Sequence, residues 1–350
     1  MAKISVGILG ATGMVGQTLV QLLGKHPWFE VTELAASDKS AGRTYEEVMA
    51  SRWNISSEIP EYAKDIKVKE CLPKLDCDIA LSALDSGVAQ AVEEDFAKAG
   101  YAVSSNAKNH RMDADVPLLI PEINADHADL IKEQQRHRGW KGFIVTDPNC
   151  STIHMCIALK PLYDNFGLEK VMVTTMQALS GGGYPGVPSM DIVDNVIPFI
   201  NDEEDKVETE PLKIFGRFSK TRIDPADFGV SAQCNRVAVK QGHTECVSVK
   251  LSRKADIEDV LAAFKEFRPN GKLKLPSSPE HPIVYLKNDN RPQPKLDVNL
   301  ENGMASVVGR LRACGVLDYK FVVLGHNLIR GAAGAAILNA ELLKVKGYIG

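Results

Sequence analysis

The chain has 350 residues, of which 44% are hydrophobic and 25% charged, and its formal net charge is −4. This length favours two domains, and a small negative charge without a long basic run argues against nucleic acid as a partner. No apolar run approaches the roughly 20 residues of a membrane span, and the N-terminus reads as a strand, so neither a membrane partner nor a signal peptide is expected. The seven cysteines form no C-x-x-C pair and the histidines form no H-x-x-x-H pair. These spacings predict a reducing, cytoplasmic compartment and no metal site.

The N-terminal pattern predicts a nucleotide-binding unit. An apolar run over residues 4–9 is followed by Gly10, Gly13 and Gly16 and then by a helical pattern beginning near Thr18. Glycines in such a turn allow the backbone to approach a pyrophosphate that is held at the helix N-terminus.

The end of the second predicted strand, over residues 30–36, bears on the choice between NAD and NADP. Asp38 favours the ribose hydroxyl of NAD. Ser37, Lys39 and Ser40 supply donors and a positive charge that suit a 2′-phosphate. By themselves these residues leave the choice open.

Two later stretches should meet at the same edge of the sheet. Residues 77–84 read as a central parallel strand, and its end, Asp85-Ser86-Gly87, should lie over the cofactor. The next predicted strand leads into a polar, basic loop that contains Asn106 and Arg111. That loop is a candidate ligand site, although its composition alone is also typical of a solvated loop.

Cys150 follows a predicted strand over residues 142–146 and precedes an apolar helical pattern. Pro148 biases the chain away from helix just before it, and Ser151 or Thr152 can cap the helix that follows. Cys150 should therefore lie at a helix N-terminus, where the dipole favours a thiolate. By position alone, a buried core cysteine is the more usual case.

The second half of the chain changes character. A strand is predicted over 171–178, a glycine-rich loop over 180–186, and helices over 187–200 and 202–215. The last helix should restart near Glu210, because Pro211 must lie in a first turn or at a kink. Glu210 and Lys213 share one helix face, which by itself is typical of a surface ion pair.

The remaining elements complete the predicted fold class. Strands are predicted over 235–239, 245–251, 283–286, 306–310 and 320–324, and a C-terminal helix over 327–338. With few helices between them, these strands favour a mostly antiparallel sheet with one face free for a second subunit. The prediction is an α/β fold with a Rossmann-type doubly wound parallel sheet domain (1–149 plus 327–350) and an α+β catalytic and dimerisation domain (150–326).

A thiol near a dinucleotide predicts aldehyde chemistry. A thiolate adds to a carbonyl, and the adduct can exchange hydride with a nicotinamide. His243 is the candidate base for the thiol proton, and Arg236 offers a bidentate fork to a substrate carboxylate. If their strands form a hairpin, a three-residue loop would place Arg236 and His243 on opposite faces, and a loop of two or four residues on one face. The sequence leaves this open.

Four motifs then point to one family. They are Asp147-Pro148-Asn149-Cys150-Ser151-Thr152, Gln177-Ala178-x-Ser180-Gly181, Arg236-x6-His243 and Arg330-Gly331-Ala332-Ala333-Gly334. With the N-terminal glycine turn, they resemble aspartate-semialdehyde dehydrogenases of the archaeal and fungal branch over essentially the whole chain. The cysteine motif and the Arg–His spacing are specific, whereas the glycine turn is not.

The resemblance implies roles for individual residues. Cys150 would be the nucleophile, His243 the acid–base and Gln177 the residue that orients the intermediate. The implied substrate contacts are Arg236 for the carboxylate, Glu210 for the amine, and Lys213, Arg111 and Asn106 for the phosphate. The predicted cofactor contacts are Gly10, Thr12, Gly13, Met14, Val15, Gly16, Ser37, Lys39, Ser40, Ser82, Gly181 and Asn327.

The implied reaction is the reversible, NADPH-dependent reduction of L-aspartyl-4-phosphate to L-aspartate 4-semialdehyde and phosphate, in lysine, threonine and methionine biosynthesis. A homodimer or homotetramer is expected. Lys39 stands where the family often carries arginine, so NAD(H) is kept as a weaker alternative to NADP(H).

The nearest alternative prediction of function is malonyl-CoA reductase, and N-acetyl-glutamyl-phosphate reductase is a more distant alternative. Asn149 beside Cys150, and the Glu210 and Lys213 pair, favour the aspartyl phosphate. A non-catalytic dinucleotide sensor would need no ordered set of cysteine, histidine and arginine.

Overall fold

The computed structural model describes residues 2–269 and 274–350 of the chain. Its first sheet is all parallel, in the order β3-β2-β1-β4-β5-β6. The strands are β1 (Ile4–Leu9), β2 (Phe29–Ala36), β3 (Lys69–Glu70), β4 (Ile79–Ser82), β5 (Ala102–Ser105) and β6 (Phe143–Thr146). The order reverses between β1 and β4, which confirms the Rossmann-type prediction and places a ligand crevice at the carboxyl ends of these strands.

Helices cover both faces of this sheet. They are α1 (Met14–Leu23), α2 (Tyr45–Met49), α3 (Glu61–Lys64), α4 (Ser86–Ala99), α5 (Pro121–Asn124) and α6 (Ile131–Arg138), with a 3₁₀ turn over Ala125–Leu130. The two faces of the sheet contribute side chains to two separate hydrophobic cores. On one face Val6 and Ile8 pack with Leu19 of α1. Ala80 packs with Phe96 of α4 on the other side. Burial on both faces explains the nearly continuous apolar runs of these strands.

The second sheet is mixed and mostly antiparallel, as predicted. Its strands are β7 (Leu168–Gln177), β8 (Val196–Ile197), β11 (Gly229–Val237), β12 (His243–Leu251), β13 (Ile283–Leu286), β14 (Ser306–Ala313) and β15 (Tyr319–Gly325). Their order is β13-β14-β15-β12-β7-β11-β8, and only the β7–β11 and β13–β14 pairs are parallel among the described strands. β9 (Arg217–Phe218) and β10 (Ile223–Asp224) form a separate small ribbon.

One face of the second sheet is buried and the other is open. The helices of this half are α7 (Cys150–Phe166), α8 (Ser189–Ile192), α9 (Glu203–Ile214), α10 (Ile257–Glu266) and α11 (Pro294–Asp297), with 3₁₀ turns over Leu179–Gly182 and Leu300–Gly303. Ile157 of α7 packs with Val173 and Val247 on the buried face. On the opposite face Met172 is 52% exposed, which leaves that face available to another subunit.

The C-terminal segment returns to the first sheet. A π-helical turn over Ile329–Ala333 leads into α12 (Gly334–Val345). The helix contacts β4 and β5, and Ser104 Oγ donates a hydrogen bond to Ala336 O. None of the helices in the described part of the chain is long and apolar enough to cross a membrane.

The structure corrects the prediction of a helix over 187–200. Only Ser189–Ile192 is helical there, and Val196–Ile197 forms the edge strand β8. Most of the large apolar residues of this segment are exposed or half-buried, with Met190 at 89% and Phe199 at 66% exposed, and only Ile192 is buried. Their helical spacing therefore does not reflect a buried helix face.

One further prediction is corrected, and the conditional hairpin does not form. Helix α9 is continuous through Pro211 and does not restart near Glu210. The strands that carry Arg236 and His243 are not a hairpin, because β7 lies between β11 and β12. The connection over residues 238–242 therefore passes across the end of β7.

Candidate active site

A cleft of about 880 Å³ lies between the two sheets. It extends from the turn after β1, past the ends of β4 and β5, to the N-terminus of α7 and the end of β7. Of the predicted site residues, it brings together Thr12, Gly13, Met14, Val15, Asn106, Arg111, Cys150, Gln177, Gly181, Arg236, His243 and Asn327. The nucleotide turn and the candidate nucleophile thus share one cavity.

Cys150 is the first residue of α7, as the sequence predicts. The prediction that Ser151 or Thr152 caps this helix is corrected, because both lie inside it. The cap is Asn149, whose side-chain oxygen accepts from Ser151 N (3.0 Å) and Thr152 N (3.3 Å). The C-terminal π-helical turn closes against the cysteine, since a Cβ on Gly331 would lie 2.8 Å from Cys150 Cβ. Glycine at that position allows the close approach.

His243 contacts the candidate nucleophile directly. Its Nε2 lies 3.1 Å from Cys150 Sγ, and its Nδ1 lies 3.0 Å from Ala178 N. A backbone N–H can only donate, so Nδ1 is the acceptor in that contact. The neutral ring therefore carries its proton on Nε2 and donates it towards the sulfur.

Burial shifts the titration of both groups. Burial, helped by the charge of Arg236, lowers the pKa of His243 to about 3. Burial, followed by the charge of Glu203, raises the pKa of the Cys150 thiol to about 12, although Arg111 and Arg236 act in the opposite direction. The expectations that His243 titrates near neutrality and that Cys150 has a lowered pKa are therefore corrected, because both were made without the cost of burying a charge.

Gln177 lies between Arg236 and His243. Arg236 of β11 pairs with Gln177 of β7, and Thr244 of β12 pairs with the preceding residue of β7. A Cβ placed on Gly181 would lie 3.0 Å from Arg236 Nη1 and 3.1 Å from His243 Nε2. The question left open by the sequence is thus resolved, since both side chains converge on the cleft from opposite sides of β7.

Arg236 has one guanidinium nitrogen engaged. Its Nη1 donates to Ala178 O at 2.6 Å, and the side chain is 7% exposed at the cleft wall. The rest of the planar fork remains directed at the cavity that contains Cys150.

Glu210 and Lys213 are absent from the described residues that line the cleft. Glu210 accepts from Arg111 Nη1 (2.9 Å) and from Asn149 N (2.7 Å). Lys213 Nζ donates to the backbone carbonyls of Arg111 (2.6 Å), Asp113 (2.7 Å) and Val116 (2.7 Å), and burial lowers its pKa to about 8. All three ammonium hydrogens are used, so Lys213 holds the loop behind Arg111 and does not offer a charge to the cavity.

The predicted cofactor residues divide into two groups. Thr12, Gly13, Met14 and Val15 line the cleft at the start of α1. Asn327 joins the two halves, because its side chain donates to Ser180 Oγ (2.8 Å) and accepts from Gly242 N (2.9 Å). These contacts bring the C-terminal segment to the glycine-rich loop.

The second group does not line this cleft: Gly10, Gly16, Ser37, Lys39, Ser40 and Ser82. Ser82 is fully buried, and its hydroxyl donates to Glu93 at 2.6 Å, so its prediction as a direct cofactor contact is corrected. Ser37 and Lys39 are exposed, whereas Ser40 is buried. The oxygen of Asp38 accepts from the following backbone N–H.

Sequence reasoning missed Glu203 and Lys206, which line the cleft beside Gln177. They form an i, i+3 ion pair of 2.8 Å. The signal was present, since Glu203–Lys206 and Glu210–Lys213 have the same spacing in one helix. Arg52 and Asn54, which follow α2 and hydrogen-bond to Gln17 of α1 through their backbone, also line the cleft and were missed. Within residues 2–269 and 274–350, no three His, Cys, Asp or Glu side chains are grouped as a metal site would require.

Two family models match the chain. The semialdehyde dehydrogenase NAD-binding domain matches residues 5–131, and the semialdehyde dehydrogenase dimerisation domain matches residues 159–330. The first match runs from β1 through β5 to the start of α6 and leaves out β6, and the second contains every described strand of the mixed sheet.

Known proteins are similar over nearly the full length. The chain is 54% identical over 342 residues to aspartate-semialdehyde dehydrogenase of Archaeoglobus fulgidus, which covers 97% of this chain and 98% of that protein. The crystal structure of the Candida albicans enzyme of that name with NADP has a TM-score of 0.90 and 44% identity, covering 99% of this chain and 100% of that one. Malonyl CoA reductase (NADP) of Metallosphaera sedula is 42% identical over 353 residues, covering 99% of this chain and 98% of that protein.

Proposed function

The chain belongs to the aspartate-semialdehyde dehydrogenase family, and from this premise we propose how its residues carry out that reaction. It is an NADP-dependent oxidoreductase that interconverts L-aspartyl-4-phosphate and L-aspartate 4-semialdehyde, in the pathway to lysine, threonine and methionine. The observation that carries the assignment of roles is the 3.1 Å contact between Cys150 Sγ and His243 Nε2. It lies in the cavity that also holds the nucleotide turn.

Cys150 is the proposed nucleophile. Its sulfur forms a bond to the acyl carbon of the substrate, and the bond from that carbon to the phosphate oxygen breaks. The thiol proton leaves with the phosphate, and a thioester remains on Cys150. His243 acts as a neutral donor: its Nε2–H stabilises the thiolate and then the oxygen that becomes negative as the carbonyl is attacked. Gln177, between Arg236 and His243, orients the intermediate.

Arg111 and Asn106 are the proposed phosphate contacts. Arg111 lines the cleft, and its buried Nε has no partner among the described residues. Its other nitrogens donate to Glu210 and to Asn106 O, which hold the guanidinium in place. Lys213 supports this site through the loop carbonyls. That Glu210 binds the substrate amine stays a prediction, because both its oxygens accept from protein donors in this structure.

The turn after β1 fits the proposed NADP(H). Gly10 has φ +77°, and a Cβ there would lie 2.6 Å from Ala83 O, so the tight turn requires glycine. No side chain of the described residues caps α1, which leaves its first N–H groups open to a pyrophosphate. When bound, the cofactor supplies the hydride that reduces the Cys150 thioester. Ser37 and Lys39 are the proposed 2′-phosphate contacts, and NAD(H) remains the weaker alternative.

We propose a homodimer that forms through the open face of the second sheet, with a tetramer as the alternative. The dimerisation-domain match covers this sheet, and exposed apolar residues such as Met172 lie on that face. All seven cysteines are free, which supports the proposed reducing, cytoplasmic location.

The identity of the acyl acceptor tests the proposed function. In the oxidative direction, aspartate semialdehyde and NADP are mixed with the purified protein and either phosphate, arsenate or coenzyme A, and NADPH formation is followed by absorbance. We expect turnover with phosphate, and with arsenate as a substitute, but not with coenzyme A. Turnover that requires coenzyme A and ignores phosphate would favour malonyl-CoA reductase instead.

Arg236→Leu should weaken binding of the substrate carboxylate. A hydrogen bond between charged groups contributes about 1.5–3 kcal/mol, so kcat/KM for aspartate semialdehyde should fall at least about tenfold. Arg236→Lys is the matched control, because it keeps the charge but loses the planar fork, and it should fall less. If the leucine variant has the kinetics of the parent enzyme, Arg236 does not bind the carboxylate.

A further inference from the structure

Glu203 occupies a place in the site to which the reaction above assigns no role. It is the first residue of α9, 9% exposed, at the cleft wall. Its Oε1 accepts from Asn149 Nδ2 (3.1 Å) and Lys206 Nζ (2.8 Å). Its Oε2 accepts from Asn149 Nδ2 (2.9 Å) and Gln177 Nε2 (2.8 Å). A single carboxylate thus joins the cap of α7 to the end of β7.

The contact determines which way the Gln177 amide points. Gln177 Nε2 donates to Glu203 Oε2 and also lies 2.7 Å from Ser151 Oγ. A hydroxyl can donate or accept, so Ser151 is compatible with either orientation of the amide. An ionised carboxylate only accepts, so Glu203 alone requires the NH₂ group on its own side.

As a consequence, Gln177 presents its side-chain oxygen to the cleft as a hydrogen-bond acceptor in a fixed direction. Gln177 Oε1 is buried and has no hydrogen-bond partner among the described residues. With the NH₂ group held by Glu203, this oxygen is available to a donor on the bound substrate, in the space that Arg236 and His243 flank. Asn149 is held in the same way, because its Oδ1 caps α7 and its Nδ2 donates to Glu203.

We propose that Glu203, held by Lys206, is a positioning residue that fixes the amide of Gln177 so that Oε1 accepts from the substrate beside Cys150. The proposal rests on the proposed function for the identity of that substrate. The hydrogen-bond geometry itself does not depend on which acyl compound is bound.

The positioning of Gln177 favours the reaction, but the negative charge of Glu203 works against ionisation of Cys150. After burial, it is the largest contribution that raises the pKa of Cys150, while Arg111 and Arg236 lower it and His243 is neutral. A carboxylate at this position therefore disfavours the thiolate. Its removal should make the thiol easier to ionise and yet leave the Gln177 amide without a fixed orientation.

Glu203→Gln separates these two effects. We expect kcat for aspartate semialdehyde to fall by about ten- to a hundredfold, because a misdirected contact at the reacting centre is costly. Alkylation of Cys150 by iodoacetamide at a fixed pH below the thiol pKa should become faster, by about tenfold for each unit by which that pKa falls. Both rates are measured on protein that circular dichroism shows to be folded, because unfolding would also expose the thiol and slow turnover.

Matched variants make the test specific. Glu204→Gln is the control, because Glu204 lies in the same helical turn but accepts from Cys234 N, away from the cleft. It should leave both readouts unchanged. Glu203→Asp keeps an acceptor-only group and should recover part of the lost kcat. If Glu203→Gln does not fold, Lys206→Met provides the converse test, since it leaves the carboxylate uncompensated and should slow alkylation.

A double-mutant cycle with Gln177→Ala tests whether Glu203 acts through Gln177. Adding Glu203→Gln to Gln177→Ala should cause little further loss of kcat. Additive losses, or an unchanged kcat in Glu203→Gln, would overturn the proposal.

Hydrogen exchange of the Gln177 side-chain amide, followed by NMR, supplies a readout without turnover. It should be slow in the parent protein and faster in Glu203→Gln. This result bears on the positioning role even if the parent enzyme does not turn over aspartate semialdehyde, which would contradict only the proposed function.

Discussion

Cys150→Ser is expected to reduce turnover of aspartate semialdehyde by roughly a thousandfold or more and to leave NADP binding unchanged. A serine hydroxyl ionises far less readily than a thiol, so it needs a base that removes its proton during attack. His243 cannot serve as that base in the observed geometry, because Nδ1 accepts from Ala178 N and Nε2 already carries the proton. Among the described residues, the site therefore has no base in reach that could activate an alcohol.

The measurement compares kcat in the presence of phosphate with NADP affinity from a fluorescence titration. Cys150→Ala is the control, and it should be as inactive as the serine variant. Cys156 is a second internal control, since it is fully buried in the core of the second domain and Cys156→Ser should keep most of its activity per folded molecule. A Cys150→Ser enzyme that retains a tenth of the activity would exclude Cys150 as the nucleophile.

Local patterns predict the elements that carry the site. The bounds of β1 and the start of α7 agree with the sequence, because an apolar run, glycine spacing and a proline before the helix are short-range signals, although the capping residue is Asn149 and not Ser151 or Thr152. The same kind of local pattern gave a wrong prediction for residues 187–200, where a helix was expected. The apolar residues of this segment are mostly exposed, apart from Ile192, and only tertiary contacts distinguish such a surface from a buried helix face.

The environment of each side chain is much harder to predict than its position in the chain. Helix α9 contains two Glu-x-x-Lys pairs, and the sequence cannot show which of them faces the cleft. In the structure Glu203 and Lys206 line it, while Glu210 and Lys213 hold Arg111 and its loop from behind. Burial is also invisible in sequence, so a helix N-terminus predicted a low pKa for Cys150 where desolvation raises it.

His243 should behave as a neutral hydrogen-bond donor throughout the working range of the enzyme. Its pKa of about 3 lies below the ordinary value of about 6.5, so the ring takes up a proton only as the pH falls towards 3. The pH profile of kcat should therefore show no ionisation of this histidine between about pH 5 and 8. A profile that loses a step in this range when His243 is replaced would contradict the assignment.

Replacement of His243 distinguishes a role as a fixed hydrogen-bond donor from a role as an acid–base catalyst. His243→Ala removes the donor to Cys150 Sγ, and kcat should fall by about a hundredfold or more, as when an oxyanion donor is lost. In His243→Gln the amide NH₂ can donate to the sulfur while the amide oxygen accepts from Ala178 N, as Nε2–H and Nδ1 do in the imidazole. We expect this variant to retain several times the kcat of the alanine variant. If both are equally inactive and fold as the parent enzyme does, the catalytic step needs a proton to move on and off the ring, because a fixed donor alone would have been replaced by the amide.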